Sequence, residues 1–455
     1  MTKKRDMNNY EPVIGLEVHV ELNTKSKMFC KCSADYFGKA PNTHTCPVCL
    51  GLPGALPFIN KAAIEGCMKI GLALNCTVSE KSLFERKNYF YPDLAKGYQI
   101  SQYRWPLCVG GWMDVKGLEG KRRIRINRAH QEEDTGKLTH ASGTTLIDFN
   151  RSGVPLVEIV TEPDFKNTTE VRDYAKKLQQ LFRYLDVSNA DMERGDMRLE
   201  ANVSVRVKGE GESGKEELPN YRVELKNINS FRFMVAAIEY EIKRQIKELE
   251  EGRTLKQETR GWDEDKKSTY LQRSKEDAHD YRYFPEPDLP ELRIKQLESR
   301  IKEEIPELPW DKAKRFAEEY GIKDADAQIL TETRQLAEYF EAAVVHGKKH
   351  GVEAKAVANY IVNAKPDIDN FLPTQIIEEI KGKKVGVIED EKELEKLASE
   401  AIEENPGLVE TYKRGKVTVI QAIIGSVMRK TGGKVNPNKI REILEERLRL
   451  ERLPR

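Results

Sequence analysis

The feature that most constrains this chain is a change of hydrophobic period at Phe284-Pro285-Glu286-Pro287-Asp288-Leu289-Pro290. Three prolines within six residues fit neither a helix interior nor a central strand. Before this point the sequence reads as short strands of period two, Gly-rich turns and a few helices. After it, nearly every segment has helical spacing, with Pro and Gly as punctuation. The expected fold class is therefore α+β. A sheet domain, built of antiparallel strands, spans 1–290, an all-helical domain 291–405 and a small helical tail domain 406–455. The second break falls at Asn405-Pro406-Gly407.

Two helices are expected inside the strand-rich part. One follows Thr168, with Val171, Ala175, Leu178, Phe182 and Leu185 on one face. The other starts at Ser230, a good N-cap, and ends near Gly252, with Met234, Ile238, Ile242, Ile246 and Leu249 as its stripe. Both stripes are read as core.

Charge composition excludes one class outright. The 455 residues carry 76 Lys+Arg against 75 Asp+Glu, a formal net charge of +1, so the chain is not a uniformly basic nucleic-acid coat. No apolar run approaches the roughly 18 residues of a membrane span. Lys3, Lys4 and Arg5 are not followed by the apolar region of a secretory signal. A soluble cytoplasmic protein without membrane contact is expected.

The 7 cysteines are an odd number, which argues against a disulfide framework. Four of them form the pattern Cys30-x-Cys32, then Cys46-Pro47-Val48-Cys49 after a short loop. Two close thiol pairs can reach one tetrahedral ion, and four thiolates leave no position for activated water, so a structural Zn²⁺ is expected. Cys67, Cys76 and Cys108 are read as small core residues.

The strands carry the chemistry. In Val13–Leu22 the residues Ile14, Leu16, Val18, Val20 and Leu22 point one way, and Glu17, His19 and Glu21 the other. Arg128, His130 and Glu132 repeat the layout after Ile124 and Ile126. Glu158 interrupts the apolar run Leu156 to Val160. Glu200 and Asn202 alternate with Leu199, Ala201 and Val203, while Glu224 and Lys226 alternate with Val223 and Leu225. A solvated face explains any single strand, but polar faces that favour Glu, His and Asn on several strands suggest more. Carboxylates brought together repel by about 1–4 kcal/mol per pair and need cations. Carboxylate and imidazole donors suit Mg²⁺ or Mn²⁺, and Mg²⁺ commonly binds together with substrate phosphates. The chain has no P-loop, no protein-kinase Gly-rich loop and no GxSxG elbow.

Several long stretches resemble one family. They are Val13 to Leu22 (VIGLEVHVEL), Cys46 to Pro57, Lys87 to Gln102 (KNYFYPDLAKGYQISQ), His130 to Thr139 (HQEEDTGKLT), Asp148 to Asp164 (DFNRSGVPLVEIVTEPD), Glu224 to Phe231 (ELKNINSF) and Asp280 to Pro290 (DYRYFPEPDLP). Through them the whole chain resembles GatB, a component of the tRNA-dependent amidotransferase GatCAB. The resemblance implies an antiparallel cradle holding a kinase site, then a helical domain and a tail that contacts tRNA. It implies a ligase: ATP phosphorylates the side-chain carboxylate of Glu-tRNA(Gln) or Asp-tRNA(Asn), and ammonia displaces the phosphate. The ammonia comes through a tunnel from glutamine hydrolysed by the glutaminase component, GatA. A small clamp, GatC, completes the heterotrimer.

Carried onto this chain, the resemblance makes Glu17, His19, Glu132, Glu158, Glu200 and Glu224 the catalytic ligands of one or two divalent ions. It makes Asn202, Lys226 and Asn227 contacts to phosphate or substrate. Leu199-Glu200 stands where many relatives carry Cys-Asp, so the carboxylate here is one methylene longer.

From Lys413 to Arg455 the chain has 12 Lys+Arg against 4 Asp+Glu. Lys413, Arg414, Lys416, Arg429, Lys430, Lys434 and Lys439 are the candidate contacts to a tRNA backbone. Tyr89-Phe90-Tyr91 is read as turn packing. The rival reading is a zinc-ribbon RNA-binding adaptor without catalysis, against which the recurrent strand-borne acids count.

Overall fold

The alternation of Val13 to Leu22 becomes β1 (Tyr10–Glu21) at the centre of a ten-stranded sheet. This computed structural model describes residues 9–118, 120–208, 217–274, 280–382, 388, 390–414, 417–431 and 434–450. The other long strands are β2 (Gly120–Glu133), β3 (Pro155–Thr161), β4 (Met197–Val207), β5 (Val223–Ile228), β6 (Glu258–Asp263) and β7 (Ser268–Ser274). Their spatial order is β7-β6-β5-β4-β1-β3-β2, continued by the short strands Cys108–Val109 and Thr77–Val78. The strand Trp112–Gly117 pairs with the first half of β2.

The sheet is not wholly antiparallel, as the sequence suggested. β5 and β6 run parallel, with Val223 opposite Glu258 and Lys226 opposite Gly261. The reason lies in the chain between them. Parallel neighbours need a crossover, and the twenty-residue helix Phe231–Glu250 supplies it.

Three helices cover the sheet: α1 (Lys61–Ala73), α2 (Thr168–Tyr184) and α3, the crossover Phe231–Glu250. Asn167 caps α2 through Glu170 N, and Ser230 caps α3 through Phe233 N. The expected α2 stripe is buried throughout. On α3, Ile242, Ile246 and Leu249 pack with Tyr10, Val205 and Val207, so this helix lies on the apolar face of β1 and β4. That stripe also hides two polar groups. Glu241 and Gln245 are fully buried, with Glu241 held by Arg244 and Thr269 and Gln245 by Tyr221. With one face under helices, the face bearing Glu17, His19 and Glu158 carries the polar chemistry.

The chain divides into two compact units, Met1–Pro306 and Glu307–Arg455. The second unit is helical and contains two apolar cores. One gathers Phe316, Phe340, Ala343, Ile361, Ile376 and Ile377 from helices between Pro309 and Ile380. The other joins Leu394, Ala398 and Ala401 of the acidic helix Glu391–Glu404 to Ile423, Val427, Ile440 and Leu444 of the tail. Among the described residues, no helix is long and apolar enough to cross a membrane.

Candidate functional site

Strand register decides which acids meet. Across one line of the sheet, Arg198 of β4 lies opposite His19 of β1, which lies opposite Glu158 of β3, which lies opposite His130 of β2. On the next line Glu200 lies opposite Glu17, and on the one beyond Asn202 lies opposite Glu224. Neighbouring strands are about 4.8 Å apart, so these side chains share one surface.

They gather into two triads. His19, Glu132 and Glu158 present one ligand atom each within 4.8 Å of one another, and so do Glu17, Glu200 and Glu224. Opposite oxygens around an octahedral Mg²⁺ are about 4.2 Å apart, so either set fits a hard divalent cation. Glu17 and His19 are two residues apart on β1, a step of about 6.8 Å, and this strand links the two triads.

The first triad is rich in cations. His130 is buried, with Nε2 at 3.2 Å from Glu158 and 3.6 Å from Glu132. His19 Nε2 is 3.9 Å from Glu158. Ser101 Oγ and Gln99 Nε2 donate to Glu132 at 2.6 and 3.0 Å. Burial opposes ionisation of Glu132, but Lys87 and His130 outweigh it and bring the carboxyl down to about 2. Glu158 is lowered against burial as well, chiefly by His130 and then by His19 and Lys87.

The second triad is short of positive charge. Lys226 Nζ reaches Glu200 at 2.8 Å and Glu224 at 3.3 Å, Asn202 donates to Glu17 at 2.8 Å, and Thr259 donates to Glu224 at 2.9 Å. One lysine thus faces three carboxylates. Burial above all, and then the charges of Glu158 and Glu200, raise the Glu17 pKa.

Lys87 and His130 are the residues that sequence reasoning left without a role. Lys87 lies on the strand Glu85–Asn88 of a separate three-stranded sheet, with Nζ 5.3 Å from the Tyr281 ring and 5.9 Å from Tyr89. Its only signal was membership of the stretch KNYFYPDLAKGYQISQ. Tyr103 and Tyr283 stack nearby at 4.6 Å between centroids, and Arg128 lies 5.8 Å from Tyr103 and 4.0 Å from Glu158. Turn packing holds for Tyr89, whose ring meets Tyr281 edge-on, but not for its neighbours. Phe90 is 96% exposed and Tyr91 58%.

Cys30, Cys32, Cys46 and Cys49 form a third cluster, their sulfurs within 4.8 Å of one another. Cys46 and Cys49 Sγ are 3.8 Å apart. Tetrahedral Zn–S bonds of about 2.3 Å place sulfurs about 3.8 Å apart, so the spacing is compatible with a structural zinc. The hydrogen bond from Cys30 pulls Cys49 down to about 5 against burial, with the charge of Lys27 assisting. Cys67, Cys76 and Cys108 are buried.

Tail cations are unequal. Lys430 pairs with Glu400 and Glu404, and Arg414 with Glu410. Lys413, Arg429, Lys434 and Lys439 are exposed. Lys416 and the side chain of Asn227 lie outside the described residues.

Residues 12–299 match the family described as GatB/GatE catalytic domain, and residues 371–448 match the GatB domain. The chain is similar to three proteins that bear the name of the B component of aspartyl/glutamyl-tRNA(Asn/Gln) amidotransferase. That of Thermodesulfovibrio yellowstonii is 46% identical over 96% of this chain and 98% of its own length. That of Roseiflexus sp. (strain RS-1) is 44% identical over 97% and 99%, and that of Persephonella marina 43% identical over 97% and 100%.

Proposed function

This chain belongs to the GatB family, and from that premise we propose that it works as the GatB component of a tRNA-dependent amidotransferase, a glutamine-hydrolysing ligase that makes the side-chain amide on mischarged tRNA. The observation that carries the chemical reading is the resolution of six strand-borne ligands into two triads on one face. Phosphorylating a carboxylate brings two anions together. A site for that reaction needs concentrated positive charge held in place. Divalent ions at the triads would neutralise the phosphates of ATP and hold the reacting groups in line.

The chain's own residues supply the rest. Glu132, Glu158 and His19 would hold one ion, with Ser101 and Gln99 fixing the Glu132 carboxylate. Glu17, Glu200 and Glu224 would hold a second. Asn202 orients Glu17, and Lys226 would meet phosphate once an ion takes over its two acids. Lys87 and Arg128 add charge beside the first triad, and Asn227 belongs to the same substrate-facing set by resemblance. In this reading 1–290 is the catalytic cradle, 291–405 the helical domain and 406–455 the tail that meets tRNA. The acidic helix Glu391–Glu404 shares its core with that tail. The glutaminase GatA and the clamp GatC are the partners, and ammonia arrives from GatA. Zn²⁺ sits in the cysteine cluster, and the complex acts in the cytoplasm.

The adaptor reading separates cleanly. The assembled complex with mischarged tRNA should hydrolyse ATP in a Mg²⁺-dependent manner and amidate the aminoacyl group. Tight tRNA binding with no ATP turnover would favour the adaptor. Lys87→Met should lower amidation about 100-fold, because it strips a half-buried cation whose charge holds down two carboxylates. Steady-state amidation rates at saturating ATP check this. In the tail, Arg429, Lys434 and Lys439 have no carboxylate partner among the described residues. Replacing all three with Gln should weaken tRNA binding and flatten its log–log salt slope by about 1 per lost phosphate contact. Filter binding at several salt concentrations measures both, and an unchanged slope would reject the tail as a tRNA surface.

A further inference from the structure

Lys27 is fully buried, and its ammonium does not meet a carboxylate among the described residues. It donates instead to two backbone carbonyls, those of His44 at 2.8 Å and Phe149 at 3.4 Å. His44 belongs to the loop between the two cysteine pairs. The Lys27 backbone N–H donates to Cys32 O at 2.9 Å, and Met28 N–H to Gly153 O at 2.7 Å. Gly153 adopts φ +85°, and a methyl placed on it would meet Cys49 Cβ and Lys27 Cδ at 3.6 Å each and Glu133 Oε2 at 3.9 Å, a carboxylate that is itself taken by Lys96. The lysine stem and Cys49 therefore close on the same glycine. A buried ammonium without a counter-charge is strongly unfavourable, so such a lysine calls for a partner.

With four thiolates around a zinc ion, the cysteine cluster would be that partner in charge. A zinc ion with four thiolates carries a net charge of −2, and Cys30 and Cys49 are buried. The Cys46 amide, donating to Cys49 Sγ at 3.1 Å, offers a dipole rather than a charge. We infer that Lys27 is the buried counter-cation of the zinc–tetrathiolate cluster, a positioning residue that sets its metal affinity and straps the cysteine loop to the Phe149–Gly153 turn. The inference rests on the zinc reading above.

The experiment uses the assembled complex. Zinc content of the unmodified protein is measured first, and a content far below one ion per chain would remove the zinc reading and this inference with it. With zinc present, transfer to a chromogenic chelator is compared among Lys27→Met, Lys27→Gln and Lys27→Arg. The neutral variants should hold zinc 10–100-fold more weakly, the range for residues that support metal ligands from behind, and Lys27→Arg should recover most of the loss. In the cobalt-substituted protein the thiolate-to-metal charge-transfer band should move to lower energy in Lys27→Met, because removing a nearby cation destabilises the thiolate electrons. Unchanged affinity together with an unmoved band would overturn the inference while leaving the zinc intact. If both neutral variants fail to fold while Lys27→Arg folds with zinc, the cation is supported. If all three fail, packing is the role and the inference falls.

Discussion

Glu132→Gln in the assembled enzyme should lose amidation by about 10³-fold while the complex still assembles and glutamine hydrolysis continues. The size follows from the site. Glu132 is held by Ser101, Gln99 and His130, and Lys87 and His130 bring its carboxyl down to about 2 despite burial, so it gives the first triad a full negative charge. The amide is isosteric and keeps a ligand oxygen, but it removes that charge. If the ion it helps to hold contributes several kcal/mol to phosphoryl transfer, losing about 4 kcal/mol of it corresponds to roughly 10³ in rate. Supplying ammonium salt in place of glutamine bypasses the glutaminase and isolates the step. Because the neutral amide is a weaker ligand for the ion, part of the loss should return at high Mg²⁺. Full activity at ordinary Mg²⁺ would sink the first triad as a metal site. Glu158→Gln should behave alike, since His130 and His19 lie on it as well.

The sequence showed which residues leave the strands on the polar side, because that depends only on a period of two. It did not show that six ligands divide three and three. That division depends on register across five strands: His19 against Glu158, Glu158 against His130 beside Glu132, Glu17 against Glu200, Asn202 against Glu224. Register needs strand order, and β3 separates β1 from β2 although β2 precedes it in the chain. Lys87 was invisible for a related reason. It comes from a small separate sheet, where no alternation marks it as facing the acids. The helices were the most legible elements, since the Ser230 cap and the apolar stripes are local signals, although the first helix starts at Thr168, capped by Asn167, rather than after it. Glu241 and Gln245 escaped because, beyond Arg244 one turn along the same helix, their burial is compensated by Thr269 and Tyr221, partners that only the tertiary fold supplies. The parallel β5–β6 pair was missed because the sequence marks a helix between two strands but not the side on which the chain returns.

The cysteine cluster leads to the other large effect. Cys46→Ser with Cys49→Ser should abolish zinc retention and lower the unfolding midpoint of the protein by about 10 °C. Binding a structural zinc is folding free energy, worth roughly 10–16 kcal/mol in isolated zinc-finger peptides. Here much of that is absorbed in ordering one loop, and the rest of the sheet does not depend on it. The loop is nevertheless tied into the body of the domain. Ser152 Oγ donates to Cys49 O at 3.3 Å, Phe58 N–H to Phe29 O at 3.1 Å, and His44 N–H to Asn150 Oδ1 at 2.8 Å. Releasing the loop therefore loosens the Phe149–Gly153 turn that leads into β3, and β3 carries Glu158. A net loss of about 3–5 kcal/mol corresponds to the stated shift for a unit of this size. Calorimetry on the zinc-replete, chelator-treated and double-serine proteins separates the effects of metal and substitution. The chelated protein and the serine variant should melt together, below the zinc-replete form. If the metal acts through Glu158 as the turn suggests, amidation should fall in the same two samples, whereas a midpoint unchanged by chelation would show that these four thiols stabilise nothing by binding zinc.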